Sequence, residues 1–316
     1  MSTAILKDKT MRDRVEIVEV SPRDGIQNEQ TILSTSDKLE LIRRAVAAGA
    51  RRFEATSFVN PKRVPQMADA DAVAAALPEL LAAVPGVVAQ GLALNPQGYA
   101  RCVSAGLDEV NYAIVATDAF SLRNQGVTTA DGIDALADVF AGRRAGTPIA
   151  ITIAASFGCP FEGEVSLSRL MSVVERCGRL EPFEIALADT IGVAAPPMVT
   201  ERVRAVRAMF PELPVRLHLH DTRNTGLANA WAGLDAGVSS LDASLGGIGG
   251  CPFAPNATGN IPTEDLVWML ERSGVDTGMD LAACIETSHW LEGVLGKPVP
   301  GMLGKAGGFP IRVPAM

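Results

Sequence analysis

The sequence is poor in several residues that mark common classes of protein. Its 316 residues include three histidines, five cysteines and only 5% aromatic residues. The cysteines are odd in number and widely spaced, which indicates free thiols rather than a disulfide framework. The chain has no run of 18 apolar residues, and its first residues lack the apolar segment of a secretory signal. We therefore expect a cytoplasmic protein with no membrane span.

Basic clusters and one nucleotide-binding motif are missing as well. Asp and Glu number 36 against 28 Lys and Arg, which gives a formal net charge of −8. Proteins that bind nucleic acids or anionic membranes carry basic patches, so neither partner is expected here. No G-x-G-x-x-G motif follows the first predicted strand, which argues against a dinucleotide-binding site.

What the sequence does contain is a regular alternation of short apolar runs and amphipathic segments. The runs are rich in Val, Ile, Ala and Leu, as in strands that are buried on both faces. They lie at 15–20, 51–57, 86–94, 109–115, 148–156, 183–189, 215–221 and 239–244. The segments predict helices at 34–50, 67–83, 96–105, 129–143, 165–179, 196–209, 225–237, 262–273 and 279–295.

This order predicts an α/β fold, a closed (β/α)8 TIM barrel with additional C-terminal helices. We expect a single catalytic domain over 1–316, with the barrel at about 15–275 and a C-terminal helix and tail at 276–316. The segment after 297 is expected to be loop-like. An open doubly wound sheet is the alternative fold.

Two of the three histidines lie close together in the stretch RLHLHDT. His218 and His220 are one residue apart near the end of the seventh predicted strand. Alternate residues of a strand point to the same face, and the active sites of TIM barrels lie at the carboxyl ends of the strands. Two imidazoles in this position are suited to bind one cation. Two hydrogen-bonded core histidines are the alternative.

Polar residues end four other predicted strands. They are Arg23, Asp24 and Gln27 after the first, Glu54 and Ser57 at the second, Asp189 and Thr190 at the sixth, and Asp242 and Ser244 at the eighth. Buried charges are costly unless they are paired or bind a metal. The pattern therefore predicts a metal site, with Asp24 as a candidate ligand and Arg23 as a cation suited to stabilise an oxyanion.

A glycine-rich segment, GGIGGCPFAPNATGN, occupies residues 246–260. Glycine permits backbone conformations that other residues avoid and lets a loop approach a ligand closely. With Cys251 in its middle and Asn260 at its end, the segment is interpreted as a lid that carries an acid or base to the cation site. An ordinary glycine-rich turn with an inert cysteine is the alternative.

Together these segments resemble the 3-hydroxy-3-methylglutaryl-CoA (HMG-CoA) lyase family of metal-dependent TIM-barrel enzymes, over about 15–295. The resemblance rests on SPRDGIQNE, FEATSFVNPKRVPQMADA, ASFGCPFEG, ALADTIGVA, LHLHDT, LANA and GGIGGCPFAPNATGNIPTEDLVWML. It implies a carbon–carbon lyase that cleaves a 3-hydroxyacyl-CoA by a retro-Claisen reaction. The first expected substrate is HMG-CoA, which would give acetyl-CoA and acetoacetate.

The resemblance also implies roles for individual residues. The implied metal ligands are Asp24, His218, His220 and Asn260, a set that suits Mg²⁺ or Mn²⁺. The implied catalytic residues are Arg23, which would stabilise an enolate, the lid residue Cys251, Glu54 and Asp189. Gln27 and Thr190 match positions that line the family's active site, and the expected substrate contacts also include Arg23, Ser57 at the end of the second predicted strand, and Arg223 after the seventh. A homodimer or higher homo-oligomer is expected by analogy with the family.

Two departures from the family pattern leave the substrate open. Arg223-Asn224-Thr225 replaces Tyr-Gly-Gln, and Ala186 replaces a serine. Arg223 is interpreted either as a contact to a substrate carboxylate or as the partner of a surface acid. Citramalyl-CoA or a longer-branched 3-hydroxyglutaryl-CoA is an alternative substrate. A Claisen-type acyl-CoA synthase, a barrel that binds without turnover and a structural zinc site are the alternative functions.

Overall fold

The computed structural model describes residues 13–143, 146–250 and 259–309. The strands are β1 (Glu16–Glu19), β2 (Arg52–Ser57), β3 (Val88–Ala93), β4 (Glu109–Val115), β5 (Ile149–Ala154), β6 (Gly158–Cys159), β7 (Gly163–Glu164), β8 (Glu184–Asp189), β9 (Val215–Leu219) and β10 (Ser240–Ala243). Within the described residues, all except β6 and β7 form a closed parallel barrel in the order β1-β10-β9-β8-β5-β4-β3-β2. The predicted TIM barrel is confirmed.

Helices surround the barrel. They are α1 (Thr35–Ala47), α2 (Ala70–Leu81), α3 (Pro96–Ser104), α4 (Asp118–Asn124), α5 (Thr129–Gly142), α6 (Leu167–Gly178), α7 (Pro196–Met209), α8 (Gly226–Ala236), α9 (Thr263–Arg272), α10 (Leu281–Leu295) and α11 (Leu303–Ala306). Several begin at a side chain that accepts a backbone N–H, as Ser34 does before α1 and Asp280 before α10. In the described ranges, no helix has the length and apolar character needed to cross a membrane.

Three short elements were not predicted. They are α4, α11 and the antiparallel hairpin of β6 and β7. The prediction of a loop-like tail after 297 was wrong at 303–306, where α11 forms. An element of two to seven residues is too short to display a helical or strand period in the sequence, which is why the pattern does not reveal it.

The apolar core lies between the strands and the helices, whereas the barrel interior is polar. On β9, Leu217 contacts α8 so closely that a Cβ on Gly233 would lie 2.2 Å from its Cδ1 atom. The neighbouring Arg216 points the other way and reaches Gln90 of β3 across the barrel. This alternation gives the interior a set of polar side chains that includes the predicted histidines. Cys102, Cys159, Cys177 and Cys284 are free, as expected.

Candidate metal centre

A π-helical turn, Ser21–Gly25, follows β1 and presents Arg23 and Asp24 at the carboxyl end of the barrel. The turn packs closely against the segment after β10, because a Cβ on Gly25 would lie 2.6 Å from Ser244 Oγ. A side chain at this position would displace the Ser244 hydroxyl, so glycine suits this contact. The SPRDG motif brings the loops after the first and last barrel strands together, and both loops contribute to the site.

The histidines and Asn260 meet at the end of β9. His218 lies on the strand, and His220 follows its last residue and forms an isolated antiparallel bridge with Asn260. The bridge is extended by a hydrogen bond from the Ile261 N–H to the Leu219 carbonyl, at 3.2 Å. This backbone pairing places Asn260 beside His220, although the two residues are distant in sequence.

Three predicted ligands converge closely enough to share one ion. Asp24, His218 and His220 each offer a donor atom, and these atoms lie within 4.8 Å of one another. The two Nε2 atoms are 3.2 Å apart, and each lies 3.7 Å from Asp24 Oδ2. Neighbouring ligands of an octahedral cation with bonds of about 2.1 Å lie roughly 3 Å apart. The spacing of the three side chains therefore fits one divalent cation.

Asn260 supplies an observation that itself favours a cation. Its Nδ2 donates to Asp24 Oδ2 at 2.9 Å and to the Ile248 carbonyl at 3.2 Å. Its Oδ1 is buried and has no hydrogen-bond partner in the described part of the chain. A buried, unpaired polar atom costs about 1–3 kcal/mol. A cation bound by this oxygen would remove the cost, so the four side chains fit a hard ion with oxygen and nitrogen ligands.

The charges around the site keep Asp24 ionised. Burial alone raises the pKa of this carboxyl, but the Arg23 guanidinium and the two imidazoles outweigh burial and hold its pKa well below its usual range. The pKa of His218 is raised, because Asp242 and Asp24 outweigh burial, which acts in the opposite direction. A proton and a cation therefore compete for the same imidazole.

Asp242 is a candidate site residue that received no role from the sequence. It lies opposite His218 in the register of β10 and β9, and its Oδ2 lies 3.0 Å from His218 Nδ1. A carboxylate on Nδ1 fixes the tautomer and directs Nε2 toward the site, as it does behind many metal-binding histidines. In the sequence, Asp242 and His218 appear only as polar residues near strand ends. The sequence does not show that the strand register places them opposite each other.

Arg23 is held by carboxylates on two sides. Its Nε and Nη2 contact Glu54 Oε2, and its Nη1 contacts Asp24 Oδ1. A guanidinium has five N–H donors, and these contacts use three of them. The opposite oxygen of Glu54 accepts a hydrogen bond from Asn111 Nδ2 at 2.7 Å. The predicted residues Arg23 and Glu54 therefore form one fixed unit beside the candidate metal centre.

Asp189 and Thr190 organise the loop that follows β8. Asp189 is buried and accepts the N–H groups of Val193 and Ala194, both at 2.9 Å. Burial raises its pKa, although these hydrogen bonds and the nearby imidazoles act against the rise. Thr190 Oγ1 accepts the N–H of Ala155 at 2.9 Å. Both side chains lie at the carboxyl end of the barrel, as the sequence predicted.

The remaining predicted residues are more peripheral. Gln27 is half-buried beyond the first turn, and Ser57 is buried at the end of β2, with no hydroxyl partner in the described ranges. Arg223 is exposed, and its Nη1 donates to the carbonyls of Ile191 and Gly192, both at 2.9 Å. This guanidinium therefore braces the loop after β8. Cys251 lies outside the described residues.

Comparisons with known proteins show which family the chain belongs to. The HMGL-like family matches the chain over residues 14–291. The (R)-citramalyl-CoA lyase of Chloroflexus aurantiacus is 45% identical over 302 residues, which cover 93% of this chain and 95% of that protein. The mitochondrial hydroxymethylglutaryl-CoA lyase of Homo sapiens is 36% identical over 94% of this chain and 90% of that protein. An HMG-CoA lyase from Acinetobacter baumannii, solved with coenzyme A and 3-methylmalate, has a TM-score of 0.91 at 38% identity and covers 98% of this chain and 100% of its own.

Proposed function

We propose that this chain, a carbon–carbon lyase that belongs to the HMGL-like family, cleaves a 3-hydroxyacyl-CoA with the help of a divalent cation. The observation that carries the proposal is the convergence of Asp24, His218 and His220 around one point, with the unpaired oxygen of Asn260 beside them. Mg²⁺ and Mn²⁺ are the proposed ions, because both accept mixed oxygen and nitrogen ligands and keep sites open for a substrate.

The proposed cleavage divides the work between the ion and the protein. When bound, the cation would supply Lewis-acid polarisation of the substrate oxygens. A base removes the proton of the C3 hydroxyl, the C2–C3 bond breaks, and its electron pair passes to the thioester as an enolate. The N–H donors of Arg23 that Glu54 and Asp24 leave free are available to the enolate oxygen. An acid then protonates C2, which releases acetyl-CoA.

Acid and base assignments follow from the sequence and from burial. Asp189 is the proposed base, because burial raises the pKa of this carboxyl, which lies at the end of β8 near the two imidazoles. Glu54 is proposed to hold Arg23 in place. Cys251 remains the proposed acid, on the strength of the sequence alone. Gln27, Ser57, Thr190 and Arg223 are proposed to line or brace the substrate pocket.

Two substrates are supported by different observations. HMG-CoA is favoured by the motifs that the chain shares with HMG-CoA lyases. Citramalyl-CoA is favoured by the higher identity to the Chloroflexus aurantiacus lyase, 45% against 36% for the human enzyme. The two acyl groups differ by one methylene between C3 and the carboxylate. A hydrophobic pocket distinguishes a methylene by only about 10–200-fold, so some overlap between the two activities is expected.

A thioester panel tests the proposal. The purified chain is incubated with each candidate thioester and Mg²⁺ or Mn²⁺, and the products are identified by mass spectrometry. Acetyl-CoA with acetoacetate would identify HMG-CoA as the substrate, and acetyl-CoA with pyruvate would identify citramalyl-CoA. Release of acetyl-CoA from neither would contradict the proposal. Net consumption of acetyl-CoA with pyruvate or 2-oxoglutarate would instead identify a synthase.

A further inference from the structure

A fully buried arginine lies beneath the candidate metal centre, and the proposed chemistry does not use it. Arg216 has a relative exposure of 0% and lies two residues before His218 on β9. Alternate residues of a strand share a face, so both side chains enter the barrel interior. A buried cation is rare unless it is paired, and its partners therefore indicate what it does.

On one side, Arg216 contacts the carboxylate that orients a metal-site histidine. Its Nε lies 3.5 Å from Asp242 Oδ1 and 3.3 Å from Glu184 Oε2. The second oxygen of Asp242, Oδ2, lies 3.0 Å from His218 Nδ1. Within the described residues neither Arg216 Nε nor Asp242 Oδ1 makes a hydrogen bond, so the guanidinium attracts one end of this carboxylate as an ion pair, while the other end contacts the imidazole.

On the other side, Arg216 begins a chain of hydrogen bonds toward Arg23. Its Nη2 donates to Thr152 Oγ1 at 3.4 Å, and Thr152 Oγ1 donates to Asn111 Oδ1 at 2.7 Å. Asn111 Nδ2 in turn donates to Glu54 Oε1 at 2.7 Å, and Glu54 holds Arg23. The chain ends at Arg23, which the proposed mechanism needs to keep in one orientation.

A small residue on β8, the strand between β9 and β5, allows Arg216 to reach Thr152. Ala186 of β8 is paired in register with Arg216 on one side and with Thr152 on the other. A methyl group at this position leaves space for the guanidinium to pass from β9 to Thr152 on β5. The Nη1 atom continues across the barrel to Gln90 Oε1 on β3, at 3.0 Å. Arg216 therefore contacts side chains from several strands of the barrel interior.

We propose that Arg216 is the positioning residue of this lyase. It holds His218 through Asp242, and it holds Arg23 through Thr152, Asn111 and Glu54. Asp24 closes the ring, because it contacts Arg23 and lies beside both imidazoles. The inference rests on the proposed metal-dependent function, and it adds a residue that touches neither the ion nor the substrate.

Mn²⁺ binding is the most direct test, because it does not depend on turnover. Arg216→Met keeps the side-chain length and removes the charge and the donors. We expect the Mn²⁺ dissociation constant, measured by electron paramagnetic resonance, to rise about tenfold or more, as for other residues behind metal ligands. kcat should fall more than KM rises. Arg216→Lys keeps the charge without the planar fork and should give an intermediate loss. It provides the same test if the methionine variant does not fold.

Arg202→Met is the matched control. Arg202 is also buried, but it lies on α7 and donates to the carbonyls of Ser156 and Val165, outside the ring. We expect this variant to lower the melting temperature and to leave the Mn²⁺ dissociation constant within about twofold, because no metal-site residue loses its support.

Thr152→Val separates the two branches of the ring. Valine has a similar shape but lacks the hydroxyl, so it interrupts the connection toward Arg23 and leaves Asp242 in contact with Arg216. We expect kcat to fall about tenfold with Mn²⁺ affinity unchanged. If a folded Arg216→Met or Arg216→Lys variant keeps its Mn²⁺ affinity and its kcat within twofold of the parent protein, the inference is wrong, and the proposed function is unaffected. Failure of the unaltered protein to bind Mn²⁺ would overturn the proposed function and the inference together.

Discussion

The two ends of the barrel each contain a buried arginine among carboxylates, but they differ in how completely the nearby buried polar atoms are hydrogen-bonded. At the amino end, Arg52 contacts Glu184 and Glu109 at 2.9 Å and Glu16 at 3.3 Å. At the carboxyl end, Arg23 is paired in a similar way, yet its surroundings contain buried polar atoms with no hydrogen-bond partner among residues 13–143, 146–250 and 259–309.

Those atoms include Asn260 Oδ1, His220 Nδ1, Ser57 Oγ, Asp242 Oδ1, Ser21 Oγ and Ser244 Oγ. Unpaired buried atoms reduce stability, so a fold tolerates them where a ligand completes them. In TIM barrels the carboxyl end carries activity and the amino end carries stability. In this barrel, the ion pairs at the amino end are suited to stabilise the fold, and the unpaired atoms at the carboxyl end are suited to bind a ligand. The difference in pairing is therefore a physical cause of the division between stability and activity.

The largest expected effect is a loss of stability when the ion pairs at the amino end are removed. Arg52→Met removes the cation from Glu109 and leaves Glu184 only its contact with Arg216, and removal of one partner from a buried pair costs about 3–5 kcal/mol. Urea unfolding should show that loss, while the folded variant keeps its Mn²⁺ affinity. Arg101→Met removes a half-exposed pair with Asp71 and should cost less than about 1 kcal/mol. Equal losses in the two variants would contradict the assignment.

A loss of turnover is expected at the carboxyl end. Arg23→Met removes the guanidinium beside the candidate metal centre, and loss of one preorganised oxyanion partner lowers kcat by about 10²–10³-fold. Steady-state kinetics with the thioester identified by the panel would measure the loss. The free energy of unfolding should fall as well, because Glu54 and Asp24 lose a buried cation. Near-normal turnover in a folded variant would remove Arg23 from the mechanism.

A smaller effect concerns pH. Burial raises the pKa of Glu264 from 4.5 to about 7, although hydrogen bonds from Ser288 and Gly246 act in the opposite direction. The folded state therefore holds a proton that the unfolded state has released, and the stabilisation is present at low pH and is lost as pH rises through 7. The contribution is at most about 3 kcal/mol. Unfolding free energies between pH 5 and 8 should fall with pH in the parent.

Glu264→Gln is the control for that slope. The amide does not titrate, so the variant should show a flatter pH dependence over the same range, whatever its absolute stability. An unchanged slope would mean that another group is responsible. Because Glu264 accepts the N–H of Gly246, which follows β10, the expected response belongs to the carboxyl end of the barrel.

The elements and residues that the sequence predicted share a local signal. Buried parallel strands appear as continuous apolar runs, and all eight barrel strands were predicted within a few residues of their ends. His218 and His220 were visible because a polar pair interrupts such a run at its end. Asp24 was visible because it follows the first strand in a turn-forming motif.

What the sequence could not predict depends on contacts between distant segments. The pairing of Asn260 with His220 is a loop-to-strand bridge, and the contact of Arg216 with Gln90 joins strands on different sides of the barrel. Arg223 illustrates the same limit. Its two proposed partners were a substrate and a surface acid, whereas its Nη1 donates to backbone carbonyls of the neighbouring loop. Side-chain chemistry suggests partners, and only the fold selects among them.

A crystal structure with Mn²⁺, located by its anomalous scattering, tests the central claim most directly. We predict one ion at about 2.0–2.3 Å from Asp24, His218 Nε2, His220 Nε2 and Asn260 Oδ1, with its remaining coordination positions facing solvent or a thioester. An ion bound elsewhere, or these four side chains too far apart to contact one ion, would contradict the account.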